Sequence, residues 1–254
     1  MTTLTWGPWS GRDYQLDKMT LGDLFRAFST YYAIQLYALL TVLAVAASAW
    51  LAQSWYGPVV TFVATILLYP AVEYLVHRFV LHSRLLYRSA LTAKVWKRIH
   101  YDHHQNPHDL AVLFGAPYTT LPTMVLITLP LGWAFAGPAG SMASFAAGLV
   151  IFSIYEFCHC VQHLPFTPQN GWLRAIKRRH LAHHFHNEHG NYGITSNVMD
   201  RVLGTFYEQP RQVPRSPTVF NLGYTDTERA RFPWVAEQSA TEEEFARRRT
   251  RRAA

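Results

Sequence analysis

Residues 142–164 read MASFAAGLVIFSIYEFCHCVQHL, an apolar run whose acidic and imidazole side chains, Glu156, His159 and His163, all fall in its last nine residues. At ~1.5 Å rise per residue, a helix of this length crosses the ~30 Å hydrocarbon core of a bilayer. Residues four apart share a helix face, so His159 and His163 stack one turn apart at the polar end. The stretch predicts a membrane-crossing helix that delivers imidazoles to the membrane edge.

Three more apolar stretches cover about Tyr31–Ala52, Val59–Leu75 (running on through the helix that carries His77) and Leu113–Ala136. No Lys or Arg occurs between Arg26 and Arg78, or between Arg98 and Arg174, a segregation that would leave soluble surface helices with little charged face. The expected fold is all-α: an integral membrane protein with four transmembrane helices and a cytoplasmic helical cap holding a histidine-rich di-metal site. The turns SWYGP (54–58) and GPAGS (137–141) lack Lys and Arg, so the positive-inside rule puts both termini and every histidine group in the cytoplasm. The third stretch, with Pro117, Pro122 and Pro130, is the weakest crossing; were it re-entrant, the histidine groups would be hard to bring together. The chain is expected to form one domain, 1–254, with a polar lead over 1–26 and a tail over 208–254. Within the lead LGDLFRAF (21–28) reads as a short amphipathic helix, and the basic, aromatic segment from His82 to Arg98 as a helix along the membrane surface, with Leu85, Leu86, Tyr87, Leu91 and Trp96. No cleavable signal peptide is expected.

The formal charge of +7 suits anionic lipid; no aromatic-basic interleaving or helix-turn-helix pattern points to nucleic acid, and none is expected as a partner. Cys158 and Cys160, two apart on a helix, face different ways and are expected to be small buried groups without a mutual disulfide.

Ten histidines fall into spaced groups: His77 and His82; His100, His103 and His104; His159 and His163; His180, His183 and His184. Positions i, i+3 and i+4 share a face, so each HxxHH triplet is expected to turn its three rings into one site. Ten imidazoles suffice for two metals with about five nitrogen ligands each. Without metal they would leave many polar nitrogens seeking partners. His108, His186 and His189 lie outside these spacings. Glu73, Asp102, Asp109, Glu156, Glu188 and Asp200 are carboxylates placed to orient ligating imidazoles. Zinc sites rarely use so many histidines, whereas iron accepts nitrogen ligands and activates dioxygen. A metal pair at the membrane edge suits oxidation of a lipid C–H bond.

HRFVLH (77–82), HYDHH (100–104), HCVQH (159–163) and HLAHH (180–184), followed by NYGITSNVMDRVLGTFY (191–207), resemble the fatty acid hydroxylase/sterol desaturase superfamily over about Pro70–Tyr207. Within it, HCVQH ahead of KRRHLAHH is most similar to fatty acid 2-hydroxylases, including those acting on sphingolipid acyl chains. The resemblance implies two iron ions, with zinc able to replace them in purified protein, and dioxygen as co-substrate. It implies hydroxylation at the 2-position of an acyl chain and carries all ten histidines over as ligands, without saying which serves which metal. Tyr155, Asn191, Tyr192 and Asn197 are candidates for substrate or supporting contacts. Several eukaryotic relatives in the superfamily carry a fused cytochrome b5 domain that is not found here, so the expected electron donor is a separate ferredoxin, cytochrome or reductase, and the expected location is a bacterial inner membrane. A sterol or carotenoid hydroxylase or desaturase is the nearer alternative. A membrane metal-binding or transport protein is the farther one, since Glu73, His77, Glu156 and His159 all lie near the cytoplasmic helix ends. The tail is expected to cover the site with FNLGY (220–224) and FPW (232–234), with RRRTRR (247–252) facing solvent or lipid.

Overall fold

The computed structural model describes residues 14–240, and every regular element among them is helical: α1 Leu21–Thr30, α2 Tyr32–Leu51, α3 Tyr56–Val76, α4 Ala90–Trp96, α5 Asp102–Gln105, α6 Leu110–Leu113, α7 Pro117–His163, α8 Gly171–Phe185, α9 Val198–Val202 and α10 Asp226–Arg231. Among the described residues, three helical stretches are long and apolar enough to cross a membrane: Tyr32–Leu51, Tyr56–Arg88 and Leu110–His163. Most of the first two is exposed, and Leu39, Val42, Trp50, Val63 and Leu67 face outward. Such a surface calls for lipid around it.

With 47 residues, α7 is far longer than one crossing requires. It breaks at Ala136 (φ −151°) and Gly137 (φ 57°), a left-handed conformation that glycine adopts readily, and Pro138 restarts the helix with its φ preset. The two arms then fold back on each other. A Cβ built on Gly132 would lie 2.2 Å from the Gly140 carbonyl oxygen, one on Gly148 2.8 Å from Thr128 Cγ2, and Ser141 Oγ donates to the Leu129 carbonyl at 2.9 Å. The third and fourth apolar stretches are therefore the arms of one helical hairpin. The turn expected over GPAGS is tighter and one residue earlier, because Pro138 already belongs to the second arm. Gly132→Ala should wedge the arms apart and destabilise the fold by at least the ~1–3 kcal/mol typical of an overpacked core, read as a lower melting temperature. Gly171→Ala, which meets nothing within 4 Å, should leave thermal unfolding unchanged.

The other turn lies at the same end: a Cβ on Gly57 would lie 2.9 Å from Ala136 Cβ, and Ser48 Oγ donates to the Ala139 carbonyl at 2.8 Å. α2 and α3 both pack along α7, with Thr65 and Ser144 hydroxyls 2.9 Å apart between them. Thr41, Thr61, Thr128 and Ser153 donate back to carbonyls four residues earlier, which satisfies polar groups inside apolar helices.

At the opposite end the third stretch starts later than expected. Leu110–Leu113 form α6, capped by Asp109 Oδ1 accepting from Ala111 N at 2.9 Å, and are buried together with Phe114. The crossing arm begins at Pro117, a favoured first helical residue. LGDLFRAF forms α1, opened by a Thr20–Asp23 capping box, and packs Leu24 and Ala27 into a core with Tyr31, Leu110, Phe114 and Val161. The expected surface helix is shorter, α4 after a 3-10 turn at Leu86–Arg88: Leu85 and Leu91 face outward, but Tyr87 and Trp96 are buried. What buries them is the tail. Leu222 and Tyr224 of FNLGY and Phe232 and Trp234 of FPW pack against Tyr87, Trp96 and Tyr101, while Tyr87 OH donates to Glu228 Oε2 at 2.9 Å. RRRTRR lies outside the described residues. Cys158 and Cys160 are free thiols.

Candidate metal centre

The imidazoles come from the ends of α3 and α7 opposite the Gly57 and Gly137 turns, from α8 and from the α4–α5 segment. Two of these carriers use a π turn. α3 continues as a π-helical turn over His77–Leu81, in which His82 N donates to the His77 carbonyl at 3.1 Å. An α-helix would turn residues five apart away from each other; the wider π turn brings His77 and His82 onto one side, with Nε2 atoms 3.2 Å apart. A second π turn, Lys97–Tyr101, carries His100 into α5.

The ten histidines divide into two groups of five. His77, His82, His100, His104 and His183 form cluster one; His103, His159, His163, His180 and His184 form cluster two. Within each, one ring nitrogen per residue lies within 4.8 Å of all the others. The His82–His100 Nε2 separation in cluster one is 2.8 Å, and the His103–His159 and His163–His180 separations in cluster two are 3.0 Å. The clusters abut, with the His104 and His184 ring centroids 4.2 Å apart.

The division corrects the expectation that each HxxHH triplet feeds one site. His100 and His104, i and i+4, go to cluster one, and His103 goes to cluster two. In α8 the exchange is reversed: His180 and His184 serve cluster two and His183 serves cluster one. Adjacent helical residues point ~100° apart, so the paired histidines of HxxHH cannot share one small centre.

Backbone carbonyls orient three of the rings, and Asp200, Glu73 and Glu188 act one step further out, on the loop and tail that carry those carbonyls. His77 Nδ1 bonds the Tyr192 carbonyl at 2.5 Å, His183 Nδ1 the Gly190 carbonyl at 2.8 Å and His104 Nδ1 the Val219 carbonyl at 3.0 Å. Each bond leaves Nε2 for the cluster interior. Asp200 holds the loop that supplies two of these carbonyls, accepting from Tyr192 N, Gly193 N, Asn197 Nδ2 and Thr205 Oγ1 at 2.8–3.1 Å. Glu73 takes Ile194 N, Thr195 N and the Thr195 hydroxyl. Glu188 takes the Ser216 and Thr218 hydroxyls, fixing the strand of tail that presents Val219. Asp102 pairs with Lys97 at 2.9 Å, Glu156 accepts from Gly115 N at 2.9 Å, and Asp109 is the α6 cap. These carbonyl supports have no side-chain signature, and the sequence reading missed them.

Asn191 and Asn197 also hold the loop. Asn191, at φ 54°, exchanges hydrogen bonds with the Tyr207 backbone, and Asn197 bonds the Gly193 carbonyl and Asp200. Tyr192 packs its ring on His77, His82 and His183. Tyr155 lies 5.6 Å from the His159 ring and lines a cavity of ≈ 200 Å³. That cavity touches imidazoles of both clusters and runs between apolar walls that include Val72, Val76, Met124, Ile127 and Phe152.

The donor set suits metal. His104 Nε2, His183 Nε2 and both nitrogens of His184 are buried without hydrogen-bond partners, and neutral imidazoles present converging lone pairs. Among the histidines outside the membrane-type helices, burial and then neighbouring imidazoles hold His100, His103, His180, His183 and His184 well below the ordinary value of 6.5, and burial pushes His104 down to about 3. Unfolded rings take up protons below 6.5 while the folded ones stay neutral. Stability is therefore full above 6.5 and is lost as pH falls from there toward 3. The melting temperature of metal-free protein should be level above pH 6.5 and drop steadily below it; a profile unchanged by acid would show that these rings are not buried neutral.

Comparison with known proteins agrees with this geometry. A family model described as fatty acid hydroxylase matches residues 62–205. The ceramide very long chain fatty acid hydroxylase SCS7 of Saccharomyces cerevisiae is 32% identical over 155 residues, covering 57% of this chain and 37% of that protein. The dihydroceramide fatty acyl 2-hydroxylase FAH2 of Arabidopsis thaliana is 32% identical over 165 residues, covering 65% and 67%. The fatty acid 2-hydroxylase of Rattus norvegicus is 29% identical over 148 residues, covering 57% and 38%. The chain thus matches less than two fifths of the length of the yeast and rat proteins. A solved structure of full-length scs7p, in which only the hydroxylase domain is visible, has the same fold, with a TM-score of 0.61 at 24% identity over 79% of this chain and 71% of that one.

Proposed function

The chain belongs to the fatty acid hydroxylase family, and from that premise we propose that it hydroxylates a lipid acyl chain at the 2-position, using dioxygen and two iron ions held by the ten clustered histidines. The observation that carries this reading is the opening of both five-imidazole clusters onto one apolar cavity. Iron bound there would supply the activation of dioxygen needed to oxidise an unactivated C–H bond. The chain's own part is positional. The carbonyls of Gly190, Tyr192 and Val219 fix ring orientation; Val72, Val76, Met124, Ile127 and Phe152 hold an acyl segment and exclude water; Tyr155 stands beside cluster two, where an acyl carbonyl would pass. A cavity of ≈ 200 Å³ is below the ~300–1,000 Å³ of pockets that enclose drug-sized ligands, which favours part of a chain over a fused-ring sterol.

In this reading the two α7 arms, α2 and α3 make four crossings, and the imidazole end faces the cytoplasm. The absence of Lys and Arg from both turns at the far end supports that orientation. The clusters differ in their support. Three cluster-one rings have carbonyl partners, whereas Nδ1 of His103, His163, His180 and His184 in cluster two has no hydrogen bond to the protein. Loss of an outer partner weakens metal affinity ~10–100-fold, so a chelator titration should remove cluster-two metal first. Simultaneous loss of both ions would contradict this.

Lipid profiling of cells with and without the gene tests the proposed reaction. A 2-hydroxylated acyl species should appear only with the gene; an altered sterol or carotenoid pool in its place would overturn the acyl reading.

A further inference from the structure

Hydroxylation of a C–H bond by dioxygen puts one oxygen atom into the product and releases the other as water. The balance requires two electrons and two protons from outside, and therefore a reductant. One face of the cap is built to receive them. Phe185 and Phe220 are 37% and 40% exposed, and their ring centroids lie 6.2 Å apart. Behind them, Phe185 is 6.4 Å from the His184 ring and stacks at 6.0 Å on His108, which meets His163 edge-on at 5.9 Å. Surface rings thus reach two members of cluster two by routes of one and two contacts. His108 holds no place in either cluster.

The surroundings are basic. Ser216 N donates to the His186 carbonyl, which sets exposed Arg215 beside the end of α8, and exposed Arg84 approaches Gly223, three residues past Phe220. Leu16 N donates to the His108 carbonyl, bringing exposed Asp17 and Lys18 close. Glu188 is buried and occupied by Ser216 and Thr218. Arg84 and Arg215 make no ion pair among the described residues; of the exposed carboxylates nearby, Asp226 already pairs with Arg229, which leaves Asp17 against Lys18, Arg84 and Arg215. An apolar centre rimmed by unpaired cations matches an acidic protein partner.

We propose that the Phe185–Phe220 face docks a soluble, acidic one-electron carrier protein and that its electrons enter through cluster two. This rests on the monooxygenase reading above. The test uses the full metal-loaded chain with a plant-type [2Fe–2S] ferredoxin and its reductase, compared with single turnover after chemical reduction by dithionite. In Arg84→Glu/Arg215→Glu and in Phe220→Ala, the KM for ferredoxin should rise at least tenfold. Single-turnover product, metal content and melting temperature should match wild type. Added salt should raise the wild-type KM and affect the charge-reversed protein much less. A ferredoxin KM unchanged in both variants would overturn the docking face. So would a wild type that forms product with dithionite but is not reduced by ferredoxin. Absence of product from dithionite-reduced wild type would instead overturn the monooxygenase reading, and this inference with it.

Discussion

His183→Ala is expected to strip metal from cluster one alone and to abolish the proposed hydroxylation, although the neighbouring residue, His184, belongs to the other cluster. Metal content should fall by about half, and turnover by more than the ~10–100-fold that accompanies loss of an outer-sphere partner, because a direct ligand is gone. The crossed arrangement makes a sharper forecast for pairs of substitutions. His183→Ala combined with His100→Ala removes two members of the same cluster, so it should deplete little more metal than either change alone. His183→Ala combined with His180→Ala strikes both clusters and should deplete nearly all of it. Residues of one network are non-additive, and residues of separate networks add. If each HxxHH motif served its own metal, the pattern would be inverted, with the α8 pair depleting no more than its members. Elemental analysis of the purified membrane protein decides between the two outcomes.

Asp200→Ala should unfold the loop that orients cluster one. Asp200 is 0% exposed and accepts four hydrogen bonds, from Tyr192 N, Gly193 N, Asn197 Nδ2 and Thr205 Oγ1. Each donor left buried without a partner costs ~1–3 kcal/mol. Even partial relaxation leaves several kcal/mol of a domain stability that is typically ~5–15 kcal/mol. The same loop carries the Gly190 and Tyr192 carbonyls that hold His183 and His77, so cluster-one metal should be lost along with thermal stability. Asp226→Ala, on a side chain 99% exposed, is the control and should change neither. A normal melting temperature and full metal content in Asp200→Ala would show that the loop holds its shape without the carboxylate.

Much of the architecture was legible in one dimension. Separation of apolar runs from Lys and Arg is a property of the chain, and it identified a membrane-type helical protein and the end of the bundle that bears the imidazoles. Spacing also marked every histidine of the two clusters and left His108, His186 and His189 outside them. Periodicity could not show that α7 is a hairpin bent at Ala136–Gly137, since that depends on glycines meeting across the arms.

Ten spaced imidazoles of metal-ligating type, set at the polar ends of apolar runs, can be read from the chain alone. Their number and local spacing require nothing beyond it. How they are shared out depends on packing. Helical pitch sends neighbouring histidines to different clusters, a π turn joins His77 to His82, and the orienting groups are backbone carbonyls brought from residues far along the chain. A carbonyl is common to every residue, so no composition or motif marks the few that matter. Only folding, by burying them against particular imidazoles, does so.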